Sequence, residues 1–163
     1  MFKVLQPEGW VPAKGYSNGI AAKGTQVYVA GMIGWNGQAV FETDDFIGQC
    51  RQALQNIVDT LKCANAKPEH MVRMTWYVVD KKEYLERGRE LGKVYQEVLG
   101  RNYPVMTLVQ VAALLEDRAK VEIEVTAKRG FDFDSIDESD FHLDVSQRSY
   151  ASGSGDWDIE SVD

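Results

Sequence analysis

Two helical stripes set among several strand-like runs constrain this chain more than any other feature, because two helices can cover only one face of a sheet. Ile47, Cys50, Leu54, Ile57 and Leu61 recur at three- and four-residue steps, behind Asp44 and Asp45, which suit a helix N-terminus, and ahead of Pro68. A second stripe, Tyr84, Gly88, Leu91, Tyr95 and Val98, follows the capping-box spacing of Asp80 and Glu83 and stops at Gly100. Between the stripes, residues 72–80 alternate Val72, Met74, Trp76 and Val78 against Arg73, Thr75 and Tyr77, which is the period of a strand. Residues 105–113 and 120–127 read as two further strands separated by a turn at Glu116-Asp117-Arg118, and Asn36-Gly37 marks a hairpin over 25–41.

The order hairpin–α–β–α–β–β predicts an α+β fold: a mixed sheet with two helices on one face. The uncovered face carries apolar residues of 105–113 beside Glu122 and Glu124, and an open sheet of that kind seeks a partner. A homo-oligomer is therefore expected, with any cleft between subunits.

Charge divides the chain in two. Residues 131–163 hold ten acids against one base, whereas residues 1–130 hold fifteen acids against seventeen bases. The expected organisation is a folded domain over 1–130 and an acidic C-terminal extension over 131–163. The extension is either a solvated tail or a strap that docks its interspersed aromatic residues. The near-neutral domain offers no basic footprint, which makes nucleic acid an unlikely partner. No apolar run reaches the roughly 18 residues that span a bilayer, so no membrane partner is expected and the expected address is cytoplasmic. Cys50 and Cys63 sit in one predicted helix about 20 Å apart, too far to bridge, and are expected to be buried thiols. His70 and His142 have no ligand-spaced companions, so no metal is implied. Gly31, Gly34 and Gly37 have the wrong spacing for a dinucleotide fingerprint, and Ser17 has neither a nearby histidine nor a nucleophile elbow around it.

Several segments together resemble the RidA/YjgF family, also labelled L-PSP endoribonuclease-like. These are Gly15-Tyr16-Ser17-Asn18-Gly19, Ala30-Gly31-Met32-Ile33, Gln52-Ala53-Leu54-Gln55-Asn56-Ile57, residues 72–80, Tyr103-Pro104, Val111-Ala112-Ala113-Leu114 and Val121-Glu122-Ile123-Glu124. The resemblance covers about residues 12–129 and lies in the order and spacing of the segments. It implies a chorismate-mutase-like (YjgF-type) fold assembled as a homotrimer, with small-molecule clefts between subunits. It also implies cofactor-free hydrolysis of reactive imines and enamines to 2-oxo acids and ammonia. In that chemistry an arginine holds the substrate carboxylate by a bidentate pair and a carboxyl group positions water or moves protons. Tyr16 and Glu122 match the family's site tyrosine and glutamate. The family's arginine position is Met106, within Pro104-Val105-Met106-Thr107, and Leu108 stands where many relatives carry a cysteine. A thioether does not reproduce a guanidinium fork.

Two functional readings follow. As an enzyme, the chain would use Glu122 to orient water, Tyr16 to close the cleft, and backbone groups of Gly31 or Thr107 to contact substrate, with Arg73 or Arg101 as candidate replacements for the missing anchor. As a non-catalytic binding protein, it would use the same cleft without turnover. Either Glu122 lines the cleft or it forms an interfacial salt bridge; Tyr16 and Thr107 have ordinary packing and strand roles as alternatives. Trp10, Trp35 and Trp76 either pack the sheet and helices or, with Met106, turn the pocket towards a neutral or aromatic ligand. Endoribonuclease activity is a minor alternative, because the charge balance opposes phosphate binding.

Overall fold

The computed structural model describes residues 2–130. The elements are β1 (Phe2–Leu5), β2 (Gly19–Ala22), β3 (Thr25–Ile33), α1 (Phe46–Lys62), β4 (Met71–Val78), α2 (Lys81–Glu86), α3 (Gly88–Leu99), β5 (Val105–Gln110) and β6 (Val121–Arg129). The main sheet has the order β3-β6-β4-β5, antiparallel except for the parallel pair β4–β5. β4, α2–α3 and β5 thus form one β-α-β unit, and β6 then passes to the far side of β4 instead of pairing with β5.

Local chemistry explains most boundaries. Asp45 caps α1, its carboxylate accepting from Gly48 N, and Asp80 caps α2 by accepting from Lys82 N and Glu83 N. Gly100, at φ 69°, ends α3 and donates its N–H to Gln96 O at 3.0 Å. Phe46, Leu54, Ile57 and Leu61 of α1 and Leu91 and Leu99 of α3 bury against Met74, Trp76 and Val78 of β4 and Val121, Ile123 and Val125 of β6. Gln49, fully buried, staples this core to the turn before β6: its amide donates to Thr43 O and Arg118 O, and its carbonyl accepts from Lys120 N at 2.8 Å.

Several expectations are corrected. The second stripe is two helices, broken at Arg87 (φ −103°, ψ 18°), so the described residues form three α-helices rather than two. Gly88, a poor helix former, follows the break, and the Arg87 guanidinium is drawn to Asp45, Glu83 and Glu90. The hairpin over 25–41 shrinks to one bridge, Trp35 to Phe41, and β3 instead pairs with β6 as an edge strand of the main sheet. Val72 is half-buried rather than in the core, since a register shift between Met71 and Arg73 puts Met71 inward instead. Cys50 is buried, and burial pushes its thiol up, but Cys63 is exposed at the α1 C-cap. A β1–β2 pair, with Phe2, Val4 and Leu5 exposed, was not marked by any short turn, because a long connection joins its strands. The acidic extension over 131–163 lies outside the described residues.

The Arg87 cluster carries a pH prediction. Its guanidinium holds the Asp45 and Glu90 carboxyls below the ordinary carboxylate range. A lowered carboxylate pKa stabilises the fold above the unfolded-state value near 4, and that contribution disappears as the pH falls through the folded value. The native protein should therefore have a higher urea midpoint than Arg87→Ala at pH 7, and the gap should be narrower at about pH 2, as the pH falls through the lowered folded values. An equal gap at both values contradicts this assignment.

Candidate functional site

Strand alternation and register set two faces on the sheet. Arg73, Thr75 and Tyr77 of β4, Val105, Thr107 and Val109 of β5, and Glu122, Glu124 and Thr126 of β6 share the face away from the helices. Tyr28 of β3, paired with Thr126, joins them and is exposed. This is the open face expected from the sequence, with Glu122 and Glu124 on it.

A cavity of about 420 Å³ opens beside β5, lined by Tyr16, Ser17, Arg73, Val105, Met106 and Thr107 among others. Its loop is anchored to the chain just before β5. Ser17 Oγ donates to Tyr103 O at 2.6 Å and Ser17 N donates to Pro104 O at 3.0 Å. Gly15, at φ 77°, supplies the left-handed turn that delivers Tyr16 to the cavity. Ser17 is therefore a positioning residue for Tyr16, a role that its lack of a histidine partner did not reveal.

Arg73 is exposed and forms no ion pair among the described residues. It also lines a neighbouring cavity of about 510 Å³ with Tyr28, Ala30, Glu124 and Thr126. One arginine thus stands at the junction of two openings on the same face. Arg101 lines neither. Met106 and Thr107, adjacent in β5, face opposite ways: Thr107 lies on the open face, while Met106 packs towards the helices and still reaches the cavity wall.

Glu122 is held elsewhere on the same face. A Cβ on Gly31 would come within 2.1 Å of Glu122 Oε1, so the glycine leaves the room that the carboxylate occupies. Glu122 pairs in register with Tyr77, whose hydroxyl donates to Glu124 Oε1 at 3.2 Å. Burial, followed by the nearby Glu124 and Glu122 charges, raises the Tyr77 pKa and keeps it a neutral donor. From Thr107 to Glu122 the path crosses β4 and one residue pair along β6, about 12 Å by strand spacing and rise. Within one chain, then, Tyr16, Arg73, Met106 and Thr107 come together, and Gly31 with Glu122 forms a second group.

Trp35 stacks at a tilt on Phe41, with ring centroids 6.0 Å apart, and Asn56 Nδ2 donates to its carbonyl; it lines none of the cavities described. Trp10 is 63% exposed. Trp76 is buried and lines a third cavity, on the helix side of β5. Among the described residues no three His, Cys, Asp or Glu side chains gather as a metal site, and no helix is long and apolar enough to cross a membrane.

Comparison with known proteins bears on this geometry. The family described as Endoribonuclease L-PSP matches residues 8–129. The human 2-iminobutanoate/2-iminopropanoate deaminase is 28% identical over 118 residues, 71% of this chain and 80% of its own length. A Rid-family protein of unknown function from Yersinia pestis superposes with a TM-score of 0.70 at 26% identity, covering 78% of this chain and 98% of its own. E. coli TdcF, solved with bound serine, superposes with a TM-score of 0.56 at 27% identity, covering 78% and 99%. With its mixed sheet, its helices on one face and this match over most of its length, the chain belongs to the RidA/YjgF (endoribonuclease L-PSP) family.

Proposed function

We propose that the protein is a homotrimeric, cofactor-independent hydrolase that deaminates a small 2-imino acid or its enamine in a cleft between subunits, with Arg73 as the carboxylate anchor in place of the family arginine. The observation that carries this reading is the Arg73 guanidinium, in no ion pair among the described residues, in one cavity with Tyr16 and Thr107, beside the methionine at the family position. Guanidinium and carboxylate form a planar two-bond pair, which fixes the substrate in the plane needed for attack at its C2. The human relative is named for imine deamination, and the E. coli relative holds an amino acid, a ligand with the same carboxylate head.

Glu122 supplies the proton chemistry. Its carboxylate takes a proton from water as the water oxygen attacks C2 of the protonated imine, and the resulting carbinolamine receives a proton on nitrogen. The C–N bond then breaks, ammonia leaves, and the hydroxyl loses its proton to give the 2-oxo acid. The separation between Glu122 and Thr107 within one chain favours completion of the site by a second subunit. The open face that carries Tyr28, Val105 and Val109 is the surface for that contact.

Glu122→Gln tests the role directly. It keeps the shape and removes the base, so kcat should fall about 100-fold or more while the protein's affinity for a non-reacting amino acid such as serine changes little. Unchanged turnover removes Glu122 from the mechanism. If the native protein binds serine without hydrolysing any imine, the non-catalytic binding reading replaces this one.

A further inference from the structure

The N-terminal ribbon forms one wall of the Arg73 cavity. Ser17 makes a parallel bridge to Val105, so the chain leading into β2 extends the sheet beyond the β5 edge, and β1 follows through the register of Leu5 with Gly19. Arg73 pairs with Val105 from the other side of β5 and therefore stands on the flank of the cavity opposite Leu5. Leu5, Ile20 and Val105 together give the cavity an apolar lining away from the guanidinium. β1 lies ahead of the family match, which begins at residue 8.

An exposed leucine is ordinary on a protein surface, but two features give Leu5 a defined place at this one. A Cβ on Gly19 would lie 3.1 Å from Leu5 Cβ and 3.2 Å from Leu5 Cδ1, so the glycine lets the leucine side chain lie close across β2. The ribbon is also latched at that end. Asn18, which lines the cavity, donates from Nδ2 to Gln6 Oε1 at 2.8 Å, and Gln6 Nε2 donates to Trp10 O at 3.2 Å. Among the described residues, Arg73 is the one charged side chain that lines the cavity. A second charge on a ligand would lose water there without a counter-charge, whereas an aliphatic group would cover Leu5 and Ile20.

We propose that Leu5, with Ile20, selects the substrate side chain: the cavity takes 2-imino acids, and their 2-oxo acid products, whose side chain is uncharged, aliphatic and about three or four carbons long. The inference rests on the reading of Arg73 as the carboxylate anchor. With the carboxylate held at Arg73, the side chain extends past Val105 towards Leu5, and its burial there supplies the selectivity.

The test uses the full chain and three stable 2-oxo acids: pyruvate, 4-methyl-2-oxopentanoate and 2-oxoglutarate. Dissociation constants come from ligand-observed NMR titrations, and turnover of the imines of alanine and leucine is followed beside them. The native chain should bind 4-methyl-2-oxopentanoate about tenfold more tightly than pyruvate, because its additional carbons bury against the apolar wall. The kcat/KM for the leucine imine should exceed that for the alanine imine by a similar factor, about tenfold. Leu5→Ala should cut both ratios to about twofold or less while the melting temperature stays close to native, since Leu5 is exposed. Leu5→Lys should bind 2-oxoglutarate about tenfold more tightly than the native chain does, a gain that a merely loosened ribbon does not produce. Arg73→Ala should weaken all three acids together. If it leaves them unchanged while Leu5→Ala still removes the preference, the anchor reading fails and the selecting wall stands. Equal native affinity for pyruvate and 4-methyl-2-oxopentanoate, no binding of either, or a preference that Leu5→Ala leaves intact overturns the inference, even where imine turnover upholds the hydrolase.

Discussion

Arg73→Ala is expected to lower kcat/KM for 2-imino acids by about 100- to 1,000-fold, equivalent to roughly 3–4 kcal/mol of lost carboxylate binding. Two charge-assisted bonds disappear together, and among the described residues nothing else lining the Tyr16–Thr107 cavity carries a positive charge. The loss should fall mainly on KM, because the carboxylate is held equally in the ground state and the transition state. Arg73→Lys should recover only part of the activity, since an ammonium keeps the charge but not the fork. Adding Met106→Arg to Arg73→Ala should recover more, because Met106 lines the same cavity at the position where the family carries its arginine. The fold should be little affected: Arg73 is exposed and unpaired among the described residues. Steady-state kinetics of the variants beside their thermal melts separate the two effects.

Gln49→Leu is the second change with a large expected effect, and it acts on stability. The leucine fills a similar volume but strands Thr43 O, Arg118 O and Lys120 N, all of which Gln49 satisfies in the native chain. Each stranded group costs about 1–3 kcal/mol, and because they share one neighbourhood the total should be about 3–5 kcal/mol. Gln49→Glu should also destabilise, since its carboxylate keeps an acceptor for Lys120 N but faces two carbonyl oxygens. Urea denaturation measures both variants; a loss below about 1 kcal/mol for Gln49→Leu would mean that water satisfies those groups instead.

Much of the architecture was legible because its signals are local. Asp45, Asp80 and Gly100 mark helix ends through caps that depend on neighbouring residues, and the alternation around Val121, Ile123 and Val125 reports one buried face of β6. The open face bearing Glu122 and Glu124 followed from the count of helices. The features that escaped were long-range. Nothing near Asn36-Gly37 reveals that β3 pairs with β6, and nothing near Gly88 reveals that Arg87 reaches back to Asp45 at the start of α1. The candidate site divides along the same line. The family resemblance brought Tyr16, Gly31, Met106, Thr107 and Glu122 to notice, but only the fold shows that Arg73 joins Tyr16 and Thr107 while Trp35 packs on Phe41. The cavity lined by Trp76, Tyr84 and Tyr103 brings together β4, α2 and the chain just before β5, a juxtaposition that no local sequence signal carries.

The most direct test of the central claim, that an arginine from β4 replaces the anchor lost at Met106, is imine decay. An amino-acid oxidase generates 2-imino acids continuously, and their disappearance is followed with and without the purified native chain, beside Arg73→Ala. The expected result is decay accelerated in proportion to native protein and close to the buffer rate with the variant. Decay at the buffer rate with native protein, together with acceleration once Met106→Arg is introduced, would show that the missing arginine was never replaced.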